Sequence, residues 1–295
     1  MSALDLLVVG DVNADLVLRG GDLVPAFGQR EQLVDSASLV LGGSGGIVAA
    51  GAARLGLRVA IAGCVGDDVL GRAMLEALEE VDVSAVRRVD APTGISVGLA
   101  RPGDRAVLTA LGALAEFRAA DVPEEMLAAA RWVHVTSPFL QPGLDVAAIA
   151  ERAAGTTSLD PGWDPREEWR LDWEGFDVLM PNGQEAQRLS GEKDVEAAAL
   201  RLAAEGPCVV VKLGAEGALA ADHDGVARAA APRVEPVDAT GAGDSFDAGF
   251  IAARLGGEGV AEALALGCAC GALSTRAAGG TAGHPTLAEA RSLRV

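Results

Sequence analysis

The chain has 295 residues, half of them hydrophobic, and a formal net charge of −18 at pH 7. That length fits a single α/β domain with insertions and supports a sizeable core. The negative charge repels phosphate backbones and anionic lipid surfaces, so neither a nucleic acid nor a membrane is an expected partner.

At the amino terminus, MSALDLLVVGDV has no basic start and too short an apolar run for a signal peptide, which points to a soluble cytoplasmic protein. Within it, DLLVVGDV reads as a buried strand ending in Gly-Asp. SLVLGG leads into the small-residue helix SGGIVAAGAARLG, and LRVAIAGCVG is the next strand. LGRAMLEALEEV predicts a helix with Leu70, Met74, Leu78 and Val81 on one face. ARWVHVTSP, TTSLDPG and DVLMPN are further short strands, separated by helical stretches such as LDVAAIAERAA. PCVVVKLG is the most continuous strand, and GVAEALALGCACGALSTRAAG closes the chain as a helix. Strand and helix in repetition predict an α/β fold: a mostly parallel central sheet with helices on both faces. Segments 14–40 and 93–112 break this rhythm. They read as period-2 strands with turns at Gly20-Gly21 and Pro102-Gly103, and are expected to pair into a small β lid; ordinary edge strands are the alternative. Cys64, Cys208, Cys268 and Cys270 form no C-x-x-C pair and no metal-ligand spacing with His134, His223 or His284, so they read as buried thiols in a reducing compartment.

The stretch DATGAGDSFDAGF (238–250) places Gly241, Ala242 and Gly243 before Asp244, where an apolar helix begins. Residues without bulk let an anion approach the free N–H groups of a first helical turn, where the dipole is positive. An acid on that turn could take the proton of an attacking hydroxyl while the amides stabilise a transferred phosphoryl group. A lone G-x-G-D is also a common turn. Here, however, Asp238-Ala-Thr-Gly-Ala-Gly-Asp244 accompanies LGGSGGIVAAGAARLG (41–56), VVGDVNADLVL, PNGQEAQRLSG and VVVKLGAEGALA. Taken together, and over nearly the whole chain, these resemble the ribokinase-like (PfkB-type) carbohydrate kinase family.

The resemblance implies a ribokinase-like three-layer fold and an ATP-dependent, magnesium-requiring kinase acting on a sugar or nucleoside. Asp244 would be the base, and Gly241, Ala242 and Gly243 the anion hole. The family's acid at the Asp238 position helps hold a monovalent cation, which admits K+ as a further cofactor. Asn182 and Glu185 match an N-x-x-E that orders magnesium and the nucleotide phosphates through water, although the same spacing is a helix capping box. Gly214 and Gly217 would let the nucleotide approach the backbone. Lys212 would meet phosphate or support the Glu185 region, or simply sit at a turn. Asn13, Asp15, Gly42 and Gly43 would bind the acceptor at the end of the first strand. In the family, lid strands with an apolar face often pair between subunits, which allows a homodimer.

The chain departs from the pattern where G-G-x-x-x-N usually carries a sugar-binding Asn, since that position is Ile47. LDPGWDPREEW has Gly162 and Trp163 where fructokinase-like relatives have Asn and its neighbour. Ile47 and Trp163 suggest a less polar or larger acceptor, such as a nucleoside. Arg101 and Arg105 could meet a phosphorylated sugar or be solvated. Two rival readings stand beside the kinase. One is a serine hydrolase, because Gly42 to Gly46 satisfies G-x-S-x-G around Ser44. The other is a catalytically silent sugar sensor on a kinase-like scaffold.

Overall fold

The first strand shows how this sequence sorts its residues. In β1 (Leu4–Val9), Leu6 and Val8 face one core while Leu7 and Val9 face another. All four are fully buried, as the continuous apolar run of a central parallel strand requires. Each such side chain contributes about 1.5–3 kcal/mol on leaving water.

The computed structural model describes residues 4–21, 23–101 and 104–294. After β1 come β2 (Asn13–Arg19), β3 (Ser36–Gly42), α1 (Ser44–Arg54), β4 (Val59–Gly66), α2 (Val69–Glu76) and β5 (Asp82–Val89). Next are β6 (Ile95–Arg101), β7 (Asp104–Ala110), α3 (Glu124–Ala129), β8 (Ala130–Thr136), α4 (Val146–Arg152), β9 (Thr156–Asp160) and β10 (Val178–Leu179). The remainder is α5 (Gly183–Ser190), α6 (Val195–Ala203), β11 (Cys208–Lys212), β12 (Ala218–Asp222), β13 (Gly225–Ala229), α7 (Ala242–Leu255), α8 (Val260–Ser274) and α9 (Leu287–Ser292).

The main sheet has the order β13-β12-β11-β10-β9-β8-β1-β4-β5, parallel from β5 to β11 and antiparallel at β12 and β13. One face is covered by α1, α2, α7 and α8, through Val48, Met74, Phe250 and Leu264. The other is covered by α3, α4 and α6, through Leu127, Ile149 and Leu202. The chain thus has three layers, with helices on both faces of the sheet. A second sheet, β3-β2-β6-β7, stands beside the first and is built from segments 14–40 and 93–112. Residues 23–35 carry no strand, and the Pro102-Gly103 turn lies outside the described residues.

Helix α2 stops at Glu76, short of the predicted span. Leu78 and Val81 remain buried, but their N–H groups bond three residues back, to Leu75 and Leu78. Hydrophobic spacing reports which positions are buried, and a tightened turn buries the same ones as a helix. Helices α7 and α8 pack on glycine. A Cβ on Gly267 would lie 2.8 Å from the Phe246 ring, and one on Gly271 would lie 2.9 Å from the Ala242 carbonyl.

Candidate active site

The site forms where the parallel strands end, the usual place for ligands in an open α/β sheet. β1 delivers Gly10 and Asp11. The buried Asp11 accepts hydrogen bonds at Oδ1 from the Gly45 amide (3.0 Å) and the Thr136 hydroxyl (3.2 Å), and at Oδ2 from the Ser44 amide (3.2 Å). Burial pushes its carboxyl above the usual range despite these donors. Asp11 therefore fills the N-terminal anion position of α1. Gly43 precedes that helix at φ 79°, and a Cβ there would lie 2.6 Å from the Asp11 carbonyl.

Asn13 and Asp15 lie on β2, two residues apart and so on one face. Asn13 is 2% exposed, and its amide donates to the Ser96 hydroxyl at 2.7 Å. Its Oδ1 is buried without a partner among the described residues. The Asp15 carboxylate lies over Gly42, where a Cβ would be 2.1 Å from it. Ile47 is buried against Gly241 and Gly280, within 3.0 Å of where either would carry a Cβ. Its hydrocarbon fills the space between α1 and the 279–280 loop.

Helix α7 starts at Gly241, which is left-handed at φ 72°. Ala242 donates a long bond to Ala239 (3.3 Å), and Ser245 donates to Gly241 (2.8 Å). Among the described residues, the N–H groups of Gly243 and Asp244 have no backbone acceptor. The Gly241 N–H has none either, so of the 241–243 amides expected from sequence only that of Ala242 is engaged, and the Asp244 amide lies open beside them. Asp244 is half-buried, in the first turn of α7. Burial, reinforced by the nearby Asp160, raises its pKa to about 7.

Beneath this turn lies a network that sequence reading did not identify. Lys212, at the end of β11, donates to Asp160 (2.8 Å) and to Asp247 (2.9 Å). Its side-chain atoms lie 3.7 Å from where Gly243 would carry a Cβ. Burial opposes the charge on Lys212, but Asp160, Asp247 and Glu185 outweigh it and hold its pKa above the ordinary value. Burial drives the Asp247 pKa well up, whereas for Asp160 the Lys212 ammonium outweighs burial and lowers it. His134 lies 3.9 Å from Asp247, and burial lowers its pKa to about 4, so it is neutral. Carboxylate oxygens of Asp160, Asp244 and Asp247 fall within 4.8 Å of one another, and the Lys212 ammonium supplies the cation that such a cluster needs.

Asn182 and Glu185 form a reciprocal cap at the start of α5. Glu185 accepts from the Asn182 amide N–H (2.8 Å) and side chain (2.6 Å), and Asn182 accepts from the Glu185 N–H (3.0 Å). Burial raises the Glu185 pKa to about 7. Each Glu185 oxygen keeps a lone pair for water, so a hydrated magnesium ion fits here. Gly214 faces open space, whereas Gly217 is packed, with a Cβ position 2.0 Å from the Ala229 carbonyl. Trp163 is 44% exposed and meets Trp169 edge-to-face at 5.0 Å. The Arg101 side chain is exposed, and that of Arg105 lies outside the described residues.

Asp238 does not fit the expected monovalent cation. Its Oδ1 accepts from the Thr240 N–H (3.0 Å) and hydroxyl (2.8 Å); its Oδ2 accepts from the Gly279 N–H (2.8 Å) and from Arg19. These donors fill the carboxylate's roughly four acceptor positions, and a cation would have to displace them. The hydrolase reading lacks a base at Ser44: His134 Nδ1 pairs with Ser158, and the buried Nε2 atoms of His134 and His284 have no hydrogen-bond partner among the described residues.

Residues 3–287 match the family described as pfkB family carbohydrate kinase. An ATP-dependent ribose-1-phosphate kinase of Halopiger xanaduensis is 34% identical over 278 residues, covering 91% of each chain. The Arabidopsis thaliana ribokinase solved with ribose and ATP aligns at TM-score 0.81 and 25% identity, over 99% of this chain and 98% of that one. A protein assigned as a ribokinase II of E. coli, solved with ATP and Mg2+, aligns at TM-score 0.85 and 25% identity, over 98% of each chain. Three layers, an acid on a glycine-opened helix start and a match across nearly the whole sequence lead to one assignment: this chain has the ribokinase-like fold and belongs to the pfkB family of carbohydrate kinases.

Proposed function

We propose that the chain transfers the γ-phosphoryl group of ATP to a hydroxyl of a sugar or nucleoside. The observation that carries this is the start of α7, where open amides, an acid of raised pKa and a buried lysine below them converge. Asp244 takes the proton from the acceptor hydroxyl. The freed oxygen forms a bond to the γ-phosphorus as the bond from phosphorus to the β,γ-bridging oxygen breaks, and ADP leaves with that electron pair. The N–H groups at 243 and 244 stabilise the equatorial oxygens, and the positive end of α7 adds to this. Lys212 holds Asp160 and Asp247 in place and offsets the acids below the turn. Asn182 and Glu185 would hold magnesium through water, and the ion would supply positive charge to offset that of the phosphates. Two relatives solved with ATP support the donor, one of them with Mg2+.

On the acceptor side, Asn13 Oδ1 and Asp15 accept hydrogen bonds from hydroxyls, while Ile47 offers none. The β3-β2-β6-β7 sheet acts as a lid that excludes water during transfer. Its exposed Leu39 and Leu108, in one register row and so on one face, suit coverage by a second copy, a homodimer that light scattering would detect. The deciding experiment is ADP release over a panel of free sugars, sugar phosphates and nucleosides, with wild type against Asp244→Asn. Turnover of a nucleoside above ribose supports the Ile47 reading, and turnover of ribose alone rejects it. Binding of a sugar with no transfer to any member would favour the sensor reading.

A further inference from the structure

The bond between Arg19 and Asp238 joins residues 219 positions apart. Arg19 ends β2, the strand that carries Asn13 and Asp15. By the two-residue period of a strand, Asn13, Asp15 and Arg19 share one face, with Arg19 about 13 Å beyond Asp15. Asp238 stands at the opening of the turn that becomes the anion hole. Its side chain is 10% exposed, and it also grips the Gly279 amide. The next residue, Gly280, lies directly against Gly241, where a Cβ would be 2.8 Å from the Gly280 carbonyl. A continuous line of contacts thus runs from the lid strand through Arg19, Asp238 and the 279–280 loop to the residue that sets the left-handed start of α7.

We infer that the Arg19 guanidinium is a tethered replacement for the monovalent cation expected at Asp238, so that the anion-hole turn is set without K+ and is coupled to the lid strand. Asp238 has no acceptor position left for an ion, and the charge an ion would bring is already covalently present on β2. Arg19 is a positioning residue: it touches neither phosphate nor acceptor, and acts through Asp238 and the 279–280 loop. The inference rests on the phosphotransfer reading for its kinetic consequence only.

The test compares wild type, Arg19→Ala and Arg19→Lys in KCl, NaCl and choline chloride at one ionic strength. The readouts are ATP affinity, melting temperature and ADP release. Wild type is expected to give the same values in all three salts, within about twofold. Arg19→Ala is expected to lose about tenfold in ATP affinity and turnover in choline chloride, a normal size for coupling between sites. It should recover in KCl, or with low-millimolar guanidinium. Arg19→Lys, which keeps a charge, should lose less. A merely structural ion pair would leave the variant equally impaired in every salt, and that result overturns the inference. So does activation of wild type by K+, or an Arg19→Ala protein equal to wild type in choline. If no acceptor is phosphorylated, the phosphotransfer reading fails, while ATP affinity and melting temperature still decide whether Arg19 replaces the ion.

Discussion

Helix α1 enters from Gly43 at φ 79° and helix α7 from Gly241 at φ 72°, both after a glycine-rich turn and both at the edge of one site. They differ in what meets their first amides. Asp11 places an oxygen on each of the Ser44 and Gly45 N–H groups, so the positive end of α1 is already neutralised from within the protein. The amides at 243 and 244 receive no such carboxylate, and the helix instead carries its own acid, Asp244, beside them. The same backbone device is structural where the chain supplies the anion; on the proposed reading it is catalytic where the chain leaves that position for a phosphate.

The strongest way to break this contrast is Asp244→Asn. It should lower kcat/KM for ADP release by about two to four powers of ten; a variant within threefold of wild type would move the chemistry away from α7. Acidification offers a second route. With its pKa at about 7, Asp244 is ionised only above neutrality, so kcat/KM should fall about tenfold per pH unit below about 7 and level off above it. A profile flat from pH 5 to 8 would mean that another group takes the proton. Third, Asp11→Ala removes the internal anion of α1 and leaves two amides unpaired, which should cost about 1–3 kcal/mol in denaturant unfolding. If stability is unchanged, α1 does not need its anion and the contrast loses one side. A fourth effect is on stability against pH. The folded Asp244 binds its proton more tightly than the unfolded chain does. Its contribution is therefore complete below the unfolded pKa, near 4, and is lost as pH rises through about 7. Asp244→Asn should consequently melt above wild type at pH 8, with the gap closing toward pH 4.

The start of α7 was legible because its parts are sequence neighbours: a bare turn, an acid and an apolar helix within a few residues. The alternation of strands and helices was legible for the same local reason. The supporting charges were not. Asp11 reaches Thr136 across 125 positions, Lys212 reaches Asp160 across 52, and Arg19 reaches Asp238 across 219. The order of the main sheet, which sets the ends of β1, β8, β9, β10 and β11 side by side, brings the first two pairs together, and the packing of the second sheet against the loop before α7 brings the third. Lys212 read as a turn-rim lysine or a phosphate contact because nothing adjacent shows that it is buried between two aspartates. Asp247 had a faint local signal, since it lies one helical turn after Asp244 and so on the same side. Gly217 looked like a ligand-facing glycine, yet its missing Cβ serves the β12-β13 edge.

Where Gly271 rests on the Ala242 carbonyl, main chain meets main chain with no rotamer between them. The height of the α7 start above its neighbour is therefore set by main-chain van der Waals contact rather than by side-chain choice. On the proposed reading, a methyl group at 271 would press on the Ala242 carbonyl and so displace the amides that meet the phosphate.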